Sequence, residues 1–276
     1  MALEIGEGRV RALQRLLVSA KWDEEGVVGE RERHVAELMG SREGIFVVDD
    51  TGFRKKGNHS CGVGRQYSGT LGKVENCQIG VFLGYAVPGT GRTLLDRRLY
   101  LQEDWFAPAT EELRARAHMP EGVVFRTKHE LALEMIETAR AGGVPHSWVN
   151  MDADYGKVPK FLDALDAWGE RYAAQVPSTT QVWTGKPRTH IPRRTKQRGR
   201  PPTRPRLAEG APKSGSVKAV ARGLPRKAFK SAILREGEKG PIRVEVAHLR
   251  VWNKRGEVPG REEHLVAELA EGRDPL

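Results

Sequence analysis

Two places in this 276-residue chain put carboxylates directly after a run of strand-forming residues. The first is Phe46-Val47-Val48-Asp49-Asp50-Thr51-Gly52, which leads on to Lys55-Lys56-Gly57. The second is Trp148-Val149-Asn150-Met151-Asp152-Ala153-Asp154-Tyr155-Gly156. A strand that ends in acid holds a carboxylate on a rigid edge, and hard divalent cations such as Mg²⁺ require oxygen ligands in fixed geometry. The lysines and glycine after the first acids are suited to meet a phosphate backbone. Asp-Thr-Gly after a strand is also a common turn, so the first motif alone leaves both readings open.

The charge distribution narrows the choice. The chain carries a net charge of +10, and residues 186–206 hold nine Lys or Arg and no acid, leaving the rest nearly neutral. Five prolines in the same stretch remove backbone donors and exclude a regular helix or central strand. The expected state is an extended loop that orders on a polyanion, with Arg193, Arg194, Lys196, Arg198 and Arg200 as nucleic-acid contacts alongside Lys55 and Lys56. The remaining reactive side chains form no pattern. Cys61 and Cys77 lack metal-like spacing and read as small packing residues. His59, His129, His146 and His190 read as surface or core residues rather than as a catalytic cluster. No stretch approaches the roughly 18–20 apolar residues that span a bilayer, and the N-terminus lacks an apolar leader, so a cytoplasmic location without membrane contact is expected.

The elements that must position the acids follow from periodicity. Residues 8–20 and 30–39 repeat at helical spacing and read as lead-in helices. Strands are expected at 45–48, 74–87 and 92–101, the last two joined as a hairpin by Pro88-Gly89-Thr90-Gly91. Ile79, Val81 and Leu83 mark one face of the second. Thr127 and Glu130 form a capping box for a helix that Gly142-Gly143 closes. A buried strand at 147–151, an amphipathic helix at 157–168 and a strand at 172–176 complete the series. Three meander strands, a helix, a strand, a helix and a strand predict an α/β fold, a ribonuclease H-like mixed sheet flanked by helices. In it the first and fourth strands are parallel neighbours, and their acids converge at one sheet edge. A basic, strand-containing insertion is expected after the fifth strand. The domain reading is a helical lead-in over 1–44, the catalytic core over 45–180, and the basic insertion with the C-terminal tail over 181–276.

The sequence resembles bacterial insertion-sequence transposases with a DDE-type endonuclease domain. The likeness rests on Asp49-Asp50-Thr51-Gly52-Phe53 with Lys55-Lys56-Gly57, on residues 62–73, and on Asn76-Cys77-Gln78. It continues through Phe125-Arg126-Thr127-Lys128, the Asp152 to Gly156 motif and Gly199-Arg200-Pro201-Pro202. It spans about residue 13 to residue 252. The resemblance implies that the first catalytic aspartate is Asp49, with Asp50 the close second choice, and that Asp152 is the second. Asp154 reads as a solvent-facing turn acid. It implies a two-metal Mg²⁺ or Mn²⁺ site on Asp49 and Asp152, DNA cleavage and strand transfer at transposon ends and target, and a homodimer on DNA. The third carboxylate of such enzymes, a glutamate on a downstream helix, has no counterpart. Glu262, Glu263, Glu268 and Glu271 read as the charged face of a terminal helix, and the chain reads as truncated at both ends. An inactive copy, or a non-catalytic DNA-binding remnant occupying transposon ends, is the alternative. An RNA-binding module explains less, since it leaves two acid-tipped strands without purpose and no aromatic strand of the kind that stacks RNA bases is present.

Overall fold

The computed structural model describes residues 11, 14–15, 18–193, 202–237 and 240–269, and divides the chain into two compact units, Met1–Ala174 and Gln175–Leu276. No helix among the described residues is long and apolar enough to cross a membrane.

The first unit opens with helix α1, Glu24–Met39, which starts earlier than its apolar repeat suggests because the Asp23 side chain caps it by accepting from the Gly26 amide. Only part of the expected 8–20 helix lies among the described residues. There the Ser19 and Ala20 amides both donate to the Arg15 carbonyl, as the last turn of a helix does. Strand β1, Ile45–Arg54, is ten residues long rather than the expected four. It continues through Asp49 and Asp50 because its antiparallel partner β3, Lys73–Val87, pairs with it from Ile45↔Ala86 to Arg54↔Cys77. The far edge of β3 is shared by β4, Gly91–Tyr100, and by β2, Gly64–Ser68, a strand the periodicity does not reveal. The β3–β4 hairpin is as expected, and its turn places Gly89 at φ 73°.

A short helix α2, Glu111–Arg116, precedes α3, Lys128–Ala141. The capping box of α3 is complete: Thr127 accepts from the Glu130 amide and the Glu130 carboxylate accepts from the Thr127 amide. Thr127→Ala is expected to lower unfolding stability by about 1 kcal/mol in a denaturant titration. Strand β5, Trp148–Met151, then lies parallel to β1, followed by the single turn α4, Ala153–Gly156, by α5, Pro159–Ala167, and by β6, Tyr172–Ala174, parallel to β5. The sheet order β2-β3-β1-β5-β6, with β4 on β3, is the expected mixed α/β arrangement. Strand alternation sends Phe46, Val48, Val81, Leu83 and Tyr85 to one face, where they pack with Leu131, Met135 and Ile136 of α3 and Phe161 and Leu165 of α5.

The second unit is built on a separate sheet. Its strands are β7, Gln181–Trp183; β10, Gly215–Ser216; β11, Lys230–Gly237; β12, Gly240–Arg255; and β13, Val258–Leu269, in the order β10-β7-β12-β11 with β13 on β12. Val182, Val217 and Val251 form its core. The expected terminal helix is therefore corrected to a strand. Glu262, Glu263 and Glu268 lie in β13 opposite Trp252, Val251 and Val246, and Glu271 falls outside the described residues. Leu265 and Ala267 turn toward the sheet's packed side, and that burial with long β12 pairing overrides the helical propensity of the Glu- and Ala-containing sequence. The basic segment has ordered ends: β8, Thr189–His190, pairs with β9, Arg206–Leu207.

Candidate active site

The site forms where one strand stops and its neighbour continues. Parallel pairing of β1 with β5 runs from Ile45↔Trp148 to Val48↔Met151 and ends there. The next residue on each strand is an aspartate, Asp49 on β1 and Asp152 after β5. Val48 and Met151 both turn into the core, so alternation turns Asp49 and Asp152 to the opposite face together. The Asp152 backbone is still extended, at φ −80° and ψ −176°, before the chain turns into α4.

Each carboxylate is oriented by backbone amides. Asp49 Oδ1 accepts from the Asp50 amide at 2.8 Å, and Asp152 Oδ1 accepts from the Asp154 amide at 2.9 Å and the Tyr155 amide at 3.3 Å. The Oδ2 atoms receive no hydrogen bond among the described residues and stay available to a ligand. Partial burial pushes the Asp49 carboxyl above the ordinary aspartate range, against the opposing pull of the Asp50 amide; the negative charges of Asp152 and Asp50 push in the same direction. A pair of carboxylates under mutual repulsion is stabilised by a cation between them. The donor set suits Mg²⁺, which commonly binds one or two carboxylates and completes its shell with water and phosphate oxygens.

Asp50 belongs to a different environment. It turns to the core face, where its Oδ2 accepts from Lys128 Nζ at 3.0 Å, and the Lys128 ammonium lies 5.7 Å from the centre of the Tyr100 ring. Adjacent acids in the sequence thus separate across the sheet. Asp154 projects outward and pairs with Lys157. His129 packs its ring on Tyr155 and Phe161, while His146 stacks on Phe46 and meets Glu170 at 2.9 Å. Neither faces the Asp49–Asp152 pair. Among the described residues no group of three or more His, Cys, Asp or Glu could hold a metal ion.

The basic loop after β1 is held by amide side chains. Asn76 Nδ2 donates to the Lys55 and Gly57 carbonyls, both at 2.9 Å, and Gln78 Nε2 donates to the Cys61 carbonyl. Gln66 Nε2 donates to the Cys77 carbonyl at 2.9 Å. Lys55 and Lys56 are thereby fixed at the end of the strand that carries Asp49. Of the basic segment, Arg193 is described and exposed, as are Lys186, Arg188, Arg204 and Arg206; Arg194, Lys196, Arg198 and Arg200 lie outside the described residues.

The DDE superfamily endonuclease family model matches residues 1–241. The chain belongs to that family. It is also 29% identical over 193 residues to the "Probable transposase for insertion sequence element IS701" of Microchaete diplosiphon, an alignment covering 68% of this chain and 46% of that protein. The chain thus spans about half the length of the curated relative it matches.

Two residues that contact or surround these acids were not singled out by the sequence. Lys128 closes the fourth resembling motif, and Tyr155 stands in the second acidic motif. The Tyr155 hydroxyl is buried with no hydrogen-bond partner among the described residues, and its ionisation is pushed far up, first by burial and then by the charges of Asp50, Asp152 and Asp49. The signal for Tyr155 was its place in the second acidic motif, and for Lys128 its place in a stretch that carries the family resemblance.

Proposed function

We propose that this chain is the catalytic-core portion of an insertion-sequence transposase that cleaves and transfers DNA strands with divalent cations. The observation that carries the reading is the register: Asp49 and Asp152 follow the last β1–β5 pair and share one face of the sheet. In this reading Asp49 and Asp152 hold Mg²⁺ or Mn²⁺ through their free Oδ2 atoms, and their Oδ1 atoms are fixed by backbone amides. A divalent cation held there would supply Lewis-acid chemistry for in-line attack on a DNA phosphate by water or a 3′-hydroxyl. Asp50 remains neutralised by Lys128 and does not compete for the cation. Lys55 and Lys56 bind phosphates beside the site, and the basic segment at 186–206 binds DNA further along, at transposon ends and target, with two copies acting on the DNA.

A second reading, a DNA-binding protein without catalysis, is favoured by one observation: among the described residues no group of three or more His, Cys, Asp or Glu could hold a metal ion. Both readings share the basic segment as the main source of DNA affinity. Each phosphate contact contributes about −0.9 to the slope of log affinity against log salt. Neutralising Arg193, Arg194, Lys196, Arg198 and Arg200 together should flatten that slope by roughly 4 units, measured by fluorescence anisotropy across a salt series. An unchanged slope removes the segment from the DNA interface. Cation-dependent nicking then separates the two readings.

A further inference from the structure

The face of the sheet that carries Asp49 continues past the acids as a strip through half-buried Thr51 to exposed Phe53. Alternation along β1 places Asp49, Thr51 and Phe53 on that face, and the Lys55 amide extends the ladder by donating to the Asn76 carbonyl at 2.9 Å, so Lys55 follows in phase. The floor beneath is prepared for an aromatic ring. A Cβ on Gly80 would meet the Phe82 ring at 2.8 Å and the Phe53 ring at 3.4 Å, so glycine is required for the two rings to meet edge to face, with centres 6.2 Å apart. Phe53 nevertheless remains 47% exposed. Inward packing does not account for a large aromatic held open in this way between a carboxylate site and a lysine.

Cations line the end of the strip: Lys55 follows Phe53 in phase, and exposed Arg65 lies opposite Asn76 on the same face. On the other face Arg54 and Lys73 share Glu75, at 4.0 Å and 3.2 Å. An exposed aromatic in line with fixed cations is the arrangement that binds single-stranded nucleic acid, because every base can stack and every phosphate is anionic. The strand repeat places Phe53 about 13 Å and Lys55 about 20 Å from Asp49.

We propose that this face of β1 is a track for an unpaired DNA strand running from the Asp49–Asp152 acids, with Phe53 stacking on a base and Lys55 and Lys56 gripping the backbone. Asn76 acts as a positioning residue, since its two bonds to the Lys55 and Gly57 carbonyls set the place of those lysines. The proposal rests on the DNA-processing function above and adds the state of the DNA: the end engaged at the acids is frayed.

The test compares two DNA probes on the full chain without divalent cation. One is a fully paired duplex; the other carries about six unpaired nucleotides at its end, the number that spans 20 Å at the duplex rise. Anisotropy gives the affinities, and quenching of a 2-aminopurine in the unpaired segment reports stacking. The frayed duplex should bind about tenfold more tightly. Phe53→Leu should erase both the preference and the quenching, and Phe53→Trp should retain them, a rescue that a packing role alone does not produce. Asn76→Leu should lower the salt slope by about 1 to 2 units as the lysines lose their placement, while the preference for frayed DNA survives. Equal affinity of the unaltered chain for both probes, or a preference that persists in Phe53→Leu, would overturn the track while leaving DNA binding intact. Absence of binding to either probe would overturn the underlying function as well.

Discussion

Asp152→Ala and Asp49→Ala should each weaken divalent-cation binding on the order of a hundredfold, read from free Mn²⁺ by electron paramagnetic resonance, because each removes one of two converging charges. Affinity for DNA without cation should stay within about twofold, since a carboxylate beside phosphates aids binding only through its metal. Under the transposase reading the chain should nick DNA in the presence of Mg²⁺ or Mn²⁺, and Asp152→Ala should abolish that nicking while leaving DNA binding nearly intact. DNA binding without any cation-dependent nicking would favour the non-catalytic reading.

Acidity should separate the cation's role from that of the fold. Burial raises the Asp49 carboxyl, so protons compete with the cation at pH values above those at which an ordinary aspartate would titrate, and binding should fade as pH drops through that window. The sign for folding is opposite. A folded-state pKa above the unfolded value means that the folded chain binds the proton more tightly, so the charged form costs stability at neutral pH and the cost is relieved on acidification. Asp49→Asn should therefore raise the thermal midpoint at neutral pH while ending cation binding. A lower midpoint would indicate that the Asp49 carboxylate is held by favourable contacts rather than strained by burial.

The core was legible in the sequence because its strands and helices bury regular stripes, as in Ile79, Val81 and Leu83 of β3 and the capped α3. The reach of β1 was not. Asp49-Asp50-Thr51-Gly52 is built from turn-forming types, yet it stays extended under pairing with β3, and Gly52 is there for close approach: a Cβ would lie 2.3 Å from Ser68 Oγ. Strand β2 has one aromatic and no β-branched residue in Gly64-Arg65-Gln66-Tyr67-Ser68, so its ladder to β3 and the Gln66 amide bonds supply what local propensity lacks. The terminal glutamates misled for the converse reason. They favour a helix locally, and pairing with β12 across the turn at residues 256–257 makes them a strand.

The division of labour between Asp49 and Asp50 was undecidable from spacing, since adjacent residues differ only in the face they take. The Lys128–Asp50 pair supplies a test. Asp50 and Lys128 are largely screened from solvent, with side chains 14% and 26% exposed, and removing one member leaves the other charge poorly hydrated. Lys128→Met and Asp50→Asn are each expected to cost about 2 kcal/mol in denaturant unfolding. The double substitution should recover most of the summed loss, costing about 1 rather than about 4 kcal/mol, a coupling energy of about 3 kcal/mol. Cation affinity should respond differently: Asp50→Asn should change Mn²⁺ binding by no more than about threefold, against the hundredfold expected for Asp49→Ala, because Asp50 faces away from Asp152. The reverse pattern, with Asp50→Asn abolishing cation binding and Asp49→Ala tolerated, would transfer the catalytic assignment to Asp50 and require β1 to shift its register by one residue, turning every side chain along it to the opposite face.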